Sequence, residues 1–346
     1  MSDLRELLGI RHPIVLAPFG GLSSVELTAA VSEAGGLGSY GLYGYDGRRI
    51  RETVAALRAA TGAPFALNIW LPVGDEVAPG SEHDAYASAL SAFFAEVGIE
   101  PPARPERYLP TLDEQLDAIW EAAPAVLSVV FGVPSPDLIE QAHRRGIRVV
   151  GTATTVAEAQ ALHAGGVDAI VGTGAEAAGH RVSFLRPAAD SLVGLVSLLP
   201  QVADAVDVPI IAAGGIADRR GVAAAFALGA SAVQVGTSFL ATAESAANEA
   251  HRAAIRSTSA DASVLTRAMS GRLSRGVPNR AVREIEASGS IAPFPAQNWL
   301  TGRFRAVAGE RGLGDLQSLW LGQSARLARW DAASDVFDEL LAGVPR

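Results

Sequence analysis

Short apolar runs recur along the chain, each followed by a longer stretch whose apolar residues return every three or four positions. The runs are PIVLAP near 13–18, GLGSYG near 36–41, PFALNIW near 64–70, AVLSVVFG near 125–132, IRVVGTA near 147–153, DAIVGTG near 168–174, VPIIAAGG near 208–215 and SAVQVGT near 231–237. Between them stand amphipathic segments such as SSVELTAAVSEAG, SPDLIEQAHRRG, TVAEAQALHAGG and DRRGVAAAFALGA, several ending in glycine as helix C-termini do. Runs that are apolar on both faces and alternate with helices predict a parallel sheet. Eight such units over about 240 residues predict an α/β fold of the closed (β/α)8 (TIM) barrel type rather than an open sheet. A doubly wound sheet would carry G-x-G-x-x-G after its first strand, and APFGGLSSVE does not fit that pattern.

Two segments break the alternation. Residues 71–110 place a helical piece between proline-rich stretches and are expected to make an excursion over the barrel mouth. Residues 245–305, which include SGRLSRGVPNRAVRE, read as a smaller helical subdomain inserted after the eighth strand, before LQSLWLGQSARLARW brings the last helix back. The expected organisation is a barrel of 1–244 and 306–346 with a substrate-covering subdomain of 245–305.

Composition narrows the chemistry. With 346 residues, 49% of them hydrophobic, the chain can bury a large core. The net charge of −9 speaks against nucleic acid as a partner, since phosphate neutralisation needs a basic face. No apolar stretch approaches the roughly 18–20 residues of a membrane span. The N-terminal MSDLRELLGIRHPIVLAP lacks the pattern of a secretory signal, so the protein is expected to be cytoplasmic, acting on small molecules. A homodimer is left open. Cysteine is absent, and all 28 basic residues are arginine. Thiolate nucleophiles, iron–sulfur clusters, disulfides and lysine Schiff bases are therefore excluded.

In such a barrel the residues just after each strand form the active site. AAGGI follows the seventh run and QVGTSF the eighth, so Gly214, Gly215, Gly236 and Thr237 are expected to cradle a phosphate, because glycine lets the backbone N–H groups approach an anion. A flavin mononucleotide or a sugar phosphate would suit that cradle. Asn68 and Gln234, at the ends of the third and eighth runs, are neutral amides able to meet the polar edge of a ring, or else to satisfy the backbone. In GTGAEAAGHR, after the sixth run, small residues leave room for a flat ligand, and His180 is a candidate acid–base group. Glu176 reads as a loop-bracing or helix-capping acid. His12, His83, His143, His163 and His251 read as surface or packing residues. No H-x-H, HExxH or acidic cluster at ligand spacing points to a metal.

PIVLAPFGGLSSVELTAAVSEAGGLGSYG, PFALNIW, FGVPSPDLIEQAHRRG, GTGAEAAGHR, IIAAGGIADRRGVAAAFALGASAVQVGTSFLATAES and SGRLSRGVPNR together resemble the nitronate monooxygenases, over about 13–280 in order, with a weaker echo in WLGQSARL. The resemblance implies an FMN-dependent (β/α)8 enzyme that oxidises alkyl nitronates with O2 to a carbonyl compound and nitrite. Carried over by position, it places Ala17, Pro18 and Phe19 against the flavin and Asn68 at its polar edge. Gly214, Gly215, Gln234, Gly236 and Thr237 would hold ring and phosphate, and Thr173, Ala178 and Gly179 would lie beside them. His180 would meet the nitro group or act as base towards a neutral nitroalkane. Three positions depart from the family's usual residues: Phe19 for methionine, Thr173 for glutamine and Ala178 for glycine. Thr173 has less reach, and the Ala178 methyl crowds the backbone's approach. The nearest alternative is an NAD(P)H-dependent FMN reductase of the enoyl-thioester or quinone reductase type. A non-catalytic FMN binder and a sugar-phosphate barrel are the remaining readings.

Overall fold

A computed structural model describes residues 3–345. All eight apolar runs are strands of one sheet: β1 (Ile14–Leu16), β2 (Gly38–Gly41), β3 (Phe65–Trp70), β4 (Val126–Val130), β5 (Arg148–Ala153), β6 (Ala169–Thr173), and, after the two-residue β7 (Gly179–His180), β8 (Ile210–Ala213) and β9 (Ala232–Val235). Neighbours pair in parallel in the order β1-β9-β8-β6-β5-β4-β3-β2, and a parallel bridge from Val15 to Leu37 brings the two ends together, so the sheet is a barrel.

The helices start where side chains can accept the first free N–H groups. Ser24 accepts from Leu27 N, Thr155 from Glu158 N and Asp218 from Arg220 N, while Ser135 caps a helix whose first residue is Pro136. Their apolar faces bury against the outer face of the strands in one large core, which includes Leu16, Leu67, Val129, Ile170, Val202 and Val233. Inside the barrel the packing residues are small: Val15, Ala66, Val126, Val150, Ala169 and Ala232 form one cluster with Leu4, Leu8 and Ile10, so the N-terminal helix Leu4–Leu8 stoppers the bottom. Only the upper end is left free for a ligand.

A second core stands apart from the barrel. Phe93 and Phe94 from the 71–110 excursion pack with Met269, Val282, Ile285, Leu300 and Phe304, so the excursion and the segment after β9 build it jointly. After the short helix Thr237–Leu240, that segment runs through the helix Glu249–Ser257 and the hairpin of β10 (Val264–Thr266) and β11 (Ser274–Gly276), and continues in the helices Arg280–Ser288 and Ala296–Glu310. The last helix, Ala333–Leu341, returns to the barrel, where Glu339 pairs with Arg219 at 2.5 Å.

One local expectation changes. His180 does not sit in a free loop, because β7 adds to the hairpin as a third antiparallel strand, with Ser274 opposite His180 and Arg275 opposite Gly179. The pairing spans some ninety residues of sequence, so no local pattern announces it.

Candidate active site

The upper end of the barrel opens into a cavity of about 970 Å³, within the range of small-molecule sites. Sheet register sets its floor. Gly41, Asn68 and Ser128 lie side by side across β2, β3 and β4, and Thr173, Ala213 and Gln234 do so across β6, β8 and β9. All thirteen residues singled out from the sequence line this one cavity: Ala17, Pro18, Phe19, Asn68, Thr173, Ala178, Gly179, His180, Gly214, Gly215, Gln234, Gly236 and Thr237.

Asn68 is buried, and its Nδ2 donates to the Ser128 carbonyl at 3.2 Å and the Ser128 hydroxyl at 3.1 Å, which leaves the side-chain oxygen without a protein donor among the described residues. The N–H groups of Gly214, Gly215, Gly236 and Thr237 likewise have no acceptor among the described residues. Gly214 (φ +99°) and Gly215 (φ +72°) adopt the left-handed conformation that glycine tolerates. A methyl group at Gly214 would come within 3.2 Å of Ala177 N and Gly174 O. Free N–H donors on a glycine backbone, with no cationic side chain needed, match a phosphate cradle.

The loops around the cavity are tied down. Glu176 accepts from Leu195 N at 2.9 Å and so caps the helix Leu195–Ala205, as its expected bracing role requires. Arg181, fully buried, donates to the carbonyls of Gly174 at 2.6 Å and Thr173 at 3.3 Å, and Arg275 donates to that of Ala175 at 3.1 Å. WLGQSARL closes over three strand exits at once: Gly322 N donates to Thr237 Oγ1 at 3.1 Å, Gln323 N to the Glu176 carbonyl at 3.0 Å and Ser324 Oγ to the Gly215 carbonyl at 2.7 Å.

His180 stands between two indoles, with ring centroids 4.9 Å from Trp70 and 5.7 Å from Trp320. Its Nε2 lies 2.8 Å from Ser270 Oγ. Burial, reinforced by the positive charges of Arg272 and Arg305, pushes its pKa down to about 3, so the imidazole is neutral at pH 7. Arg272 stacks over Phe294 at 3.8 Å and pairs with Asp75 and with Glu76, the latter at 2.6 Å, which pins the segment after β3 across the hairpin. The Phe131 backbone has φ +71°, a strained conformation for an aromatic residue, and its ring packs 4.8 Å from Trp70.

Several cavity residues escaped the sequence reading. Trp70 ends a run that was recognised only as a strand, and Tyr43 lies in the turn after β2. Arg305 donates to Asn298 Oδ1 at 2.7 Å and to Ser318 Oγ, leaves Nε unpaired, and is pushed down to a pKa of about 10 by burial. Nothing in its local sequence marks it. His251 is buried as a packing residue, its Nε2 donating to the Trp320 carbonyl at 2.8 Å, yet it also lines the cavity. The other four histidines lie away from the cavity: His83 hydrogen-bonds Tyr108 and Pro102, His143 pairs with Asp168, His12 packs against Phe337, and His163 is the fourth. No group of three or more metal-binding side chains occurs among the described residues, and none of their helices is long and apolar enough to cross a membrane.

Residues 1–343 match the family described as nitronate monooxygenase. The chain is 40% identical over 348 residues to a nitronate monooxygenase of Pseudomonas aeruginosa, covering 99% of each protein. It is 36% identical over 347 residues to a probable nitronate monooxygenase of Staphylococcus aureus, covering 98% of this chain and 96% of that protein. Among solved structures it resembles a nitroalkane oxidase from Streptomyces ansochromogenes, with a TM-score of 0.88, 36% identity, and 99% and 97% of the two chains covered. It also resembles FabK from Thermotoga maritima, with a TM-score of 0.78, 30% identity, and 99% and 95% covered.

Proposed function

Since the chain belongs to the nitronate monooxygenase family, we propose that it binds FMN non-covalently and oxidises alkyl nitronates with O2 to a carbonyl compound and nitrite. The observation that carries this reading is the convergence of all thirteen predicted residues on one cavity with a neutral histidine in its wall. The donor set fits the cofactor. The free N–H groups of Gly214, Gly215, Gly236 and Thr237 would hold the phosphate, and Asn68 and Gln234 would meet the polar edge of the ring without placing a charge on it. Bound FMN would supply the electron-transfer chemistry.

The remaining roles belong to the chain. Trp70 and Trp320 pack against the His180 ring and restrict its orientation. A neutral imidazole can hydrogen-bond the oxygens of a nitronate, or take a proton from the carbon beside a nitro group when the substrate arrives as a neutral nitroalkane. Arg305, charged at neutral pH and without a carboxylate partner among the described residues, favours an anion in the cavity.

The test is turnover by the FMN-loaded protein in air. With ethylnitronate, oxygen uptake accompanied by nitrite and acetaldehyde supports the proposal. FMN-loaded protein that consumes NADPH but releases no nitrite would transfer the site to the reductase reading.

A further inference from the structure

We propose that Ser270 is a positioning residue for His180: its hydroxyl holds the imidazole as the Nε2–H tautomer and leaves the Nδ1 lone pair as the base that faces the cavity. The argument is a count of protons. Ser270 is fully buried, and its Oγ has three neighbours: His180 Nε2 at 2.8 Å, the Arg272 carbonyl at 3.0 Å and Arg272 N at 3.3 Å. Arg272 N can only donate. The Arg272 carbonyl can only accept, and Ser270 is its one donor among the described residues. A serine hydroxyl has one proton to give. With that proton on the buried carbonyl, the remaining contact is satisfied only if Nε2 carries the hydrogen and donates to Oγ.

The other ring nitrogen is then unprotonated. No group among the described residues takes Nδ1, and it is not among their sealed, unpaired buried atoms, so it opens onto the cavity that His180 lines. The frame around the ring keeps it there. Pairing of β7 with Ser274 fixes the backbone, and the indoles of Trp70 and Trp320 flank the side chain. The charged groups that act on the imidazole are both cations, Arg272 from the hairpin and Arg305 from the helix Ala296–Glu310, and no carboxylate forms an ion pair with it among the described residues. Neither cation can accept a hydrogen bond, so neither holds a proton on Nδ1.

The chemical consequence concerns neutral nitroalkanes and rests on the nitronate-oxidation reading. The C–H bond beside the nitro group breaks, its proton moves to Nδ1, and its electron pair becomes the C=N bond of the nitronate, with the negative charge on the nitro oxygens. A nitronate supplied as such skips this step.

The tautomer is read directly from long-range proton–nitrogen NMR correlations of the histidine-labelled, FMN-loaded protein, with His180→Gln identifying the ring's signals. The expected wild-type pattern is a pyrrole-type Nε2 and a pyridine-type Nδ1. Ser270→Ala should give a mixture of tautomers, and Ser270→Thr, which keeps the hydroxyl, should keep the wild-type pattern. In turnover, Ser270→Ala should lower the ratio of nitroalkane to nitronate rates about tenfold or more, as loss of a positioned base requires. A protonated Nδ1 in the wild type, or an unchanged pattern in Ser270→Ala, overturns the proposal. The wild-type spectrum decides even where the variants fail to fold. An expected spectrum in a protein that turns over neither substrate would uphold the positioning role while removing the proposed function.

Discussion

Substituting Gly214 with alanine should separate a ligand cradle from an ordinary turn. At φ +99° an L-residue is strained by about 1–2 kcal/mol, and the new methyl would press on Ala177 N and Gly174 O at 3.2 Å. The loop relieves that contact by shifting the free N–H groups that would hold the phosphate. If the strain has to be met again in the bound state, FMN affinity falls by a similar free energy, a factor of about 5–30. Gly146 supplies the control. It has φ +73°, would meet nothing within 4 Å as alanine, and lies in the turn that precedes β5, at the opposite end of the barrel from the cavity. Both variants should lose about 1–2 kcal/mol of stability in urea unfolding, from the backbone strain they share. Only Gly214→Ala should weaken FMN binding, measured by titrating the flavin's fluorescence. Wild-type affinity in Gly214→Ala, or an equal loss in Gly146→Ala, would refute the cradle.

Other consequences follow from the same geometry. His180→Asn should lower nitroalkane turnover by about 10²–10⁴-fold, checked by nitrite release, as removal of a general base does. Because the folded protein holds the His180 pKa near 3, below its unfolded value, the stability this group contributes is complete above about pH 6.5 and is lost as pH falls towards 3. Chemical unfolding across that range should show His180→Gln flatter with pH than wild type. Arg272→Ala removes the pairs to Asp75 and Glu76 and the stacking on Phe294, and should cost about 1.5–3 kcal/mol while speeding proteolysis in the 71–80 segment. Glu176→Ala uncaps the helix Leu195–Ala205 and should cost about 0.5–2 kcal/mol in thermal unfolding.

What the sequence disclosed depends on the range of the interactions involved. Strands with apolar faces on both sides, and caps such as Ser24 and Thr155, are written in neighbouring residues, and so was the whole barrel. The place of Gly214 and Gly236 on the cavity was legible because each directly follows a barrel strand. Ser270 and Arg305 were not: Ser270 meets His180 across the β7–β11 pairing, ninety residues away, and Arg305, although Asn298 and Ser318 are only 7 and 13 residues off, reaches the cavity through the placement of its helix, which no local pattern marks. Trp70 was read as the end of a strand, and its contact with His180 exists only once the hairpin folds over it. The shared core of the 71–110 excursion and the later helices was hidden for the same reason, because its apolar residues show helical periodicity but not their partner.

The central claim is that the cavity brings a nitronate to FMN, and anaerobic mixing tests it most directly. FMN-loaded protein is mixed with ethylnitronate without oxygen, the visible flavin band is followed, and oxygen is then admitted and nitrite assayed. Loss of the oxidised band, its return with oxygen and release of nitrite are the predicted results. A band that stays oxidised with nitronate but bleaches with NADPH would contradict the account.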